Sequence, residues 1–455
     1  MSNKRSTISV AVAACTLMMS GTALATNGYL SHGLGTKNKG MAGAGTAAPS
    51  EAMSIVNNPA AGVMVGATYQ AGLSIFSPRR SYESTDSLLN GQLGSFTIGP
   101  DSIDSDNEYF PIPYIAGIWA LDDNSAFSAA FYGRGGMNTE YRGGTATFDP
   151  DGPGPGGTMT LPGPFGAGTL GVDLSQAFLD LSFSEKRGSF NWGITGVLAL
   201  QAFEVTGMAN FAGFTETFAK SGGTEMPKYL SNNGHEYSYG LGVKVGAIWE
   251  TTDSVNLGLS YQSKTYMTEL DKYADLLADG GSFDIPASAR AGISWQVSDR
   301  VSLHLDGEHI WYSDVDSIAN PIDGIVNCPT AGFGGSDTSF CLGGSNGIGF
   351  GWDDMTIVKV GVEWQLQNAW TLRAGYSKGD QPIPDSQLLV NVLAPAVMEE
   401  HITFGITRAS SNGNEFSVSF MYAPEKTVTG PSTFDPTQDI TIEMEQLELE
   451  FAYSW

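Results

Sequence analysis

The chain has 455 residues, 22 basic against 48 acidic, giving a net charge of −26 with only 15% charged residues in all. That balance excludes the basic patches on which nucleic-acid binding depends. After Met19 no stretch approaches the twenty or so consecutive apolar residues of a membrane-spanning helix, while 58 glycines at such low charge density are unusual for a soluble acidic protein.

Lys4 and Arg5 precede an apolar run from Ile8 to Met19, followed by Ala23-Leu24-Ala25, a small-x-small cleavage site. This is the pattern of a signal peptide over residues 1–25, leaving a mature chain of about 430 residues from Thr26. Reading Val12-Ala13-Ala14-Cys15 as a lipoprotein box is weaker, because it lies inside the apolar run. Cys15 leaves with the signal. Cys328 and Cys341 remain as an even pair in one Gly-rich segment, expected to form a disulfide that closes a loop in an exported protein.

Residues 26–61 do not read as a strand. They carry Gly33-Leu34-Gly35, a Gly40 to Gly45 run and Asn58-Pro59-Ala60. Gly and small residues at this density suit a segment packed inside a lumen, where backbone approaches backbone. A flexible periplasmic leader is the alternative.

From residue 62 onward apolar and polar side chains alternate with period two, as expected where a pleated strand shows one face to lipid and the other to a lumen. Val63, Val65, Ala67, Tyr69, Ala71, Leu73 and Ile75 share one face. Tyr237 to Trp249, Val255 to Tyr261, Ala287 to Val297, Thr356 to Leu366 and Trp370 to Tyr376 repeat the pattern. The spacing predicts fourteen strands, near 62–77, 108–121, 124–141, 175–187, 190–206, 235–250, 253–267, 283–297, 300–314, 353–366, 369–378, 399–409, 414–423 and 440–455. Short turns such as Asp122-Asp123-Asn124 and Ser411-Asn412-Gly413 alternate with long loops near 78–107, 142–174, 207–234, 268–282, 315–352, 379–398 and 424–439. The fold class is therefore all-β: a 14-stranded antiparallel transmembrane β-barrel over 62–455, with both termini in the periplasm and a hatch over 26–61. Trp249, Tyr261, Trp295, Trp364 and Trp370 fall at strand ends, where interfacial girdles sit. The last strand alternates through Leu447, Leu449, Phe451, Tyr453 and Trp455, resembling the signal read by the barrel assembly machinery.

Several residues are candidates for handling a ligand. Phe211, Phe214 and Phe218 fall on one face of a short helix in the loop after strand five, and Leu270, Tyr273, Leu276 and Leu277 do the same after strand seven, with Thr268 as N-cap. Phe203, at the upper end of strand five, joins them. Exposed apolar stripes on loops mark binding surfaces; the bland reading is that the two helices cover each other. Gly133, Gly135 and Gly136 break the third strand and permit a bulge; the bland reading is a strand end thinning into loop. Arg290, Lys359, Arg373 and Lys244 face the lumen and are candidate partners for a carboxylate, although structural pairing with acids such as Glu363 explains them equally. The five histidines show no metal-ligand spacing. A dinucleotide-like Gly43-Ala44-Gly45 run lacks its strand and helix, and Gly343-Gly344-Ser345-Asn346-Gly347 spells a nucleophile elbow inside a loop. No cofactor or catalytic group follows from either.

The Gly-rich segment ending in Asn58-Pro59-Ala60, with fourteen strands and seven outer loops behind it, resembles the FadL-type family of outer-membrane transporters of long-chain fatty acids and other hydrophobic molecules. The resemblance spans the whole mature chain, but the loops are not matched in sequence. It implies a monomer in outer-membrane lipid and lipopolysaccharide, passive uptake, and lateral release near the third strand beside the hatch. A general or anion-selective porin, or a transporter of aromatic hydrocarbons or alkanes, is the alternative.

Overall fold

The computed structural model describes residues 27–150, 157–367 and 369–455. The expected signal peptide lies outside them. Fourteen antiparallel strands form the wall: β1 (Thr68–Ser84), β2 (Phe110–Asp122), β3 (Ser125–Tyr141), β4 (Leu170–Arg187), β5 (Phe190–Thr206), β6 (Glu236–Thr252), β7 (Val255–Gln262), β8 (Ser288–Ser298), β9 (Val301–Ile310), β10 (Met355–Gln365), β11 (Trp370–Gly379), β12 (Glu400–Ala409), β13 (Glu415–Ser432) and β14 (Asp435–Ser454). Each pairs with the next, and β14 pairs with β1 from Gln70↔Ser454 to Ser84↔Ile440, closing the barrel. The seam is finished by two backbone hydrogen bonds between Tyr69 and Trp455, each 3.0 Å.

Period-two patterning divides the wall as anticipated. Leu73, Ile115, Leu241, Leu259, Val358 and Phe404 are exposed on the outside, whereas Gln70, Ser74, Asp180, Lys244, Glu308 and Lys359 are buried inside. Near the chain ends an aromatic girdle forms: Tyr69 lies 5.6 Å from Trp119 and 6.0 Å from Trp455. The turns after β2, β4, β6, β8, β10 and β12 are short and share that end of the barrel.

Several strand bounds shift by a few residues, and two departures change how the pattern is read. Val63 and Val65 continue the alternation, yet they sit in a short helix, Ala61–Val65, and β1 begins at Thr68. No long loop spans 424–439. Instead β13 and β14 run on as one tall hairpin joined only through Thr433 and Phe434. Pro424 falls where the pairing slips between Ala423↔Gln446 and Lys426↔Met444, a bulge that needs no N–H from it.

At the opposite end, loop segments over 85–109, 142–150, 157–169, 207–235, 263–287, 311–354 and 380–399 fold over the barrel mouth. Three short strands from the first three of them, Phe96–Ile98, Thr145–Phe148 and Met159–Pro162, form a small separate sheet. Cys328 and Cys341 are joined as a disulfide with Cα atoms 4.9 Å apart, as the sequence indicated.

Candidate functional site

Residues 27–65 lie within the barrel against its inner face. They form three short helices, α1 (Thr36–Lys39), α2 (Ser54–Asn57) and α3 (Ala61–Val65), linked by turns. Glycine sets the close approach. A Cβ on Gly375 of β11 would stand 2.2 Å from the Met41 carbonyl carbon, and one on Gly193 of β5 would stand 2.4 Å from the Pro59 oxygen. Only a residue without a side chain lets wall and hatch backbones meet there.

The expected hatch residues make specific contacts. Asn58 Nδ2 donates to Thr46 O at 3.0 Å and reaches the wall at Ala247 O and Leu259 O, each 3.2 Å, while its Oδ1 accepts from Ala60 N–H at 3.1 Å. Leu34 N–H donates to Asn38 Oδ1 at 3.1 Å, and Leu34 O accepts from Asn57 Nδ2 at 2.8 Å. Gly33 packs on Gly43, and Gly35 takes φ +91° beside Glu51.

Charges tie the hatch to the wall. Lys39 pairs with Glu448 and, at 2.6 Å, with Glu450; Lys37 pairs with Glu415 at 2.5 Å. Asp306 Oδ2 accepts from the N–H groups of Gly45 at 2.9 Å and Thr46 at 2.8 Å.

The cations singled out from sequence belong to this network. Arg290 lies 2.7 Å from Glu308 and donates to Asn57 Oδ1 at 2.6 Å. Lys359 pairs with Glu308 at 2.6 Å and donates to His32 O at 2.7 Å. Arg373 pairs with Glu363 at 2.7 Å, and Lys244 with Asp180 at 2.9 Å. Each is buried beside its carboxylate, the arrangement that keeps a lumenal charge tolerable. None lines the apolar cavity described next.

The glycines of β3 mark a real irregularity. The pairing with β4 slips between Gly133 and Gly135, so Arg134 is the extra residue and turns inward to donate to Gln262 Oε1 at 2.7 Å. The hatch lies along this bulge. Leu30 bridges Gly135, Gly136 N–H donates to Tyr29 O at 3.1 Å, and Ser31 N–H donates to Arg134 O at 3.1 Å.

Above the hatch is an apolar cavity of about 50 Å³. Phe203, Val205, Met208, Phe211, Leu276 and Leu277 line it, and four of these six are residues singled out from sequence. Leu342, Ile348, Phe350, Val390 and Leu393 line it as well. No lining residue among those described is charged. Leu270 and Tyr273 are buried just behind, with Tyr273 edge-on to Phe203 at 4.9 Å. Phe214 and Phe218 are partly buried and do not line the cavity.

The two expected loop helices are not continuous. Residues Ala209–Phe214 form a 3₁₀ segment, and Thr215 then caps a separate helix, α4 (Glu216–Lys220), by accepting from Phe218 N–H at 3.3 Å. After β7 the helical turns are a 3₁₀ segment at Asp271–Tyr273 and a separate, kinked turn at Ala278–Gly281, with Leu276 and Leu277 between them. Thr268 is no cap; its Oγ1 accepts from Tyr239 N–H at 3.2 Å and pins the loop to β6.

Aromatic rings run through the cavity from outside to hatch. Phe434 at the β13–β14 turn lies 6.0 Å from Phe214 and 6.4 Å from Phe211. Below, Phe203 contacts Phe283 at 5.8 Å, and Phe283 contacts Tyr29 at 6.4 Å. Phe350 and Trp352, 5.9 Å apart, provide a second line, with Trp352 6.1 Å from Tyr29. Sequence reasoning missed Phe283, Phe350, Trp352 and Phe434, which lie in loops or at a turn with no periodic signal. The disulfide secures this roof: next to Cys341, Leu342 N–H donates to Phe214 O at 2.9 Å, and Leu342 O accepts from Glu216 N–H at 2.8 Å.

Comparison with known proteins agrees with this architecture. No curated protein matches the chain significantly. Among solved structures, the Pseudomonas putida toluene transporter TodX superposes with a TM-score of 0.61 at 16% identity, covering 93% of this chain and 98% of that one. A Pseudomonas aeruginosa FadL homologue gives 0.62 at 15%, with 94% and 99% covered. The Ralstonia pickettii toluene transporter TbuX gives 0.58 at 14%, with 93% and 98% covered. At such identities these likenesses establish the shared fold. The family model for outer membrane protein transport protein (OMPP1/FadL/TodX) matches residues 208–446. The chain is thus a member of the OMPP1/FadL/TodX family of outer membrane transport proteins.

Proposed function

We propose that the barrel takes up small, uncharged hydrophobic molecules by diffusion. They are captured beneath the outer loops in the cavity around Phe203 and Phe211, and leave sideways through the wall at the β3 bulge beside Tyr29. The observation that carries this reading is the uncharged lining of the cavity, continuous through aromatic rings with the hatch segment that pairs with β3. A long-chain fatty acid, the ligand first suggested by family resemblance, would bring a carboxylate to a place with no cation, since Arg290, Lys359 and Arg373 are engaged by acids. Burying an unpaired charge costs several kcal/mol or forces its neutralisation. The solved relatives described as toluene transporters are in keeping with an aromatic ligand.

A general porin requires an open polar lumen, and the ion-paired hatch speaks against one. Uptake of labelled toluene, an alkane and a long-chain fatty acid by cells with and without the gene tests the proposal. Accelerated entry of the neutral molecules is expected; acceleration of the fatty acid alone would overturn the choice of ligand. Large steady currents from the intact barrel in planar bilayers would favour the porin.

A further inference from the structure

Where the β3 bulge meets the hatch, the lumen holds a second, very different cavity. It measures about 10 Å³, room for one atom-sized occupant, and Arg134, Lys244, Arg290, Gln262, Ser260 and Ser288 line it beside the end of α2. Its lining is rich in donors. Arg134 Nε and Gln262 Nε2 are buried, and among the described residues neither finds an acceptor, although both side chains are only 3% exposed. Lys244 spends two of its three N–H bonds on Asp180 and Val56 O.

The charge count is unbalanced. Arg134, Lys244, Arg290 and Lys359 share two carboxylates, Asp180 and Glu308, and Arg134 is 3.9 Å from the latter. Asp306, the next inward acid on β9, adds a third carboxylate: it interacts with Lys359 while its Oδ2 also accepts from the neutral hatch amides of Gly45 and Thr46, so the four cations exceed their acids by one. Positive charge left over in a sealed lumen is costly unless something negative joins it. A water molecule could accept the free donors but would not offset the charge.

We infer that this cavity is a binding site for a monatomic halide, chloride in the cell. The anion accepts from Arg134 Nε and Gln262 Nε2 and balances the Arg134–Lys244–Arg290 cluster. It joins the extra residue of the β3 bulge to β6, β7 and β8, and so fixes the bulge against the hatch. The inference rests on the cavity and its donors, independent of which hydrophobic molecule is carried.

The test uses the purified full-length barrel in detergent. Its apparent melting temperature is followed in sodium chloride or bromide against sodium gluconate, at constant ionic strength. A saturable rise on the order of 2 °C with halide is expected. Gln262→Glu places a carboxylate beside Arg134 and should abolish the halide response while holding the melting point at or above the halide-bound value. Crystals soaked in bromide should give an anomalous peak in the cavity; this readout stands even if the variant does not fold. Identical melting in the two salts, an undiminished halide response in Gln262→Glu, or a cavity without anomalous signal would each overturn the assignment.

Discussion

Arg290 joins wall to hatch: from β8 its Nη1 donates to Asn57 Oδ1 of α2 at 2.6 Å, while Nη2 lies 2.7 Å from Glu308 of β9. Glu308 also takes Lys359 at 2.6 Å, so one carboxylate holds two cations. Glu308→Gln leaves both buried without that charge, and breaking buried pairs this way costs roughly 3–5 kcal/mol. A lower apparent melting temperature is expected, together with a new ion conductance in planar bilayers as the hatch loosens. A silent membrane and unchanged melting would show that the hatch is held by other means.

The wall glycines make a steric prediction. Gly375→Val puts a side chain where the Met41 backbone already stands. The hatch must shift, giving the same leak without altering any charge. Gly196 of β5, with open space around it and an ordinary strand φ, is the control position, and Gly196→Val should leave the hatch in place.

Filling the cavity should stop transport without harming the barrel. Leu276→Trp projects an indole into a space of about 50 Å³. Entry of labelled toluene should fall by at least about tenfold, equivalent to about 1.4 kcal/mol of binding. Far-ultraviolet circular dichroism should be unchanged.

The disulfide closes a loop of sequence separation 13. Replacing both Cys328 and Cys341 with Ser should cost about 3 kcal/mol, on the chain-entropy view. That loss belongs to the outer roof. Proteolytic nicking within 315–352 should quicken while melting of the barrel stays put.

Asp316 gives the outer loops a pH dependence. Partial desolvation and the neighbouring Asp279 carboxylate, with which it shares a hydrogen bond, raise its pKa above that of an ordinary aspartate. An acid whose folded pKa is raised binds its proton more tightly when folded. Its contribution is therefore greatest in acid and is lost as pH climbs through the folded value. Asp316→Asn should level that dependence in proteolysis of the same loop at pH 4 and pH 7.

The barrel was legible because lipid outside and polar groups inside impose a strict two-residue period on every strand. The errors came where other forces produce or hide that period. Val63 and Val65 alternate by coincidence within a helix, and the continuous β13–β14 hairpin was read as two strands with a loop because its pairing shifts at bulges. Phe211, Leu276 and Leu277 were legible as apolar stripes in the loops after strands five and seven, and Phe203 as the apolar upper end of strand five. Phe350, Trp352, Val390 and Leu393 were not, because irregular loops bring them together through tertiary packing alone. Arg134 escaped notice because its neighbouring glycines drew attention to backbone freedom, while the bulge they permit turns its side chain inward.

The seam between Tyr69 and Trp455 also constrains how the molecule comes into being. The hatch precedes β1, yet Lys37 and Lys39 have their partners on β13 and β14. Those strands are the last to be synthesised, so the earliest segment waits longest for its contacts. Such distant pairings make folding slow. Once β14 docks on β1 the wall has no free edge through which an omitted hatch could enter. Lys37 and Lys39 complete their ion pairs only when β13 and β14 are in place, and the final strand acts as the clasp on the hatch.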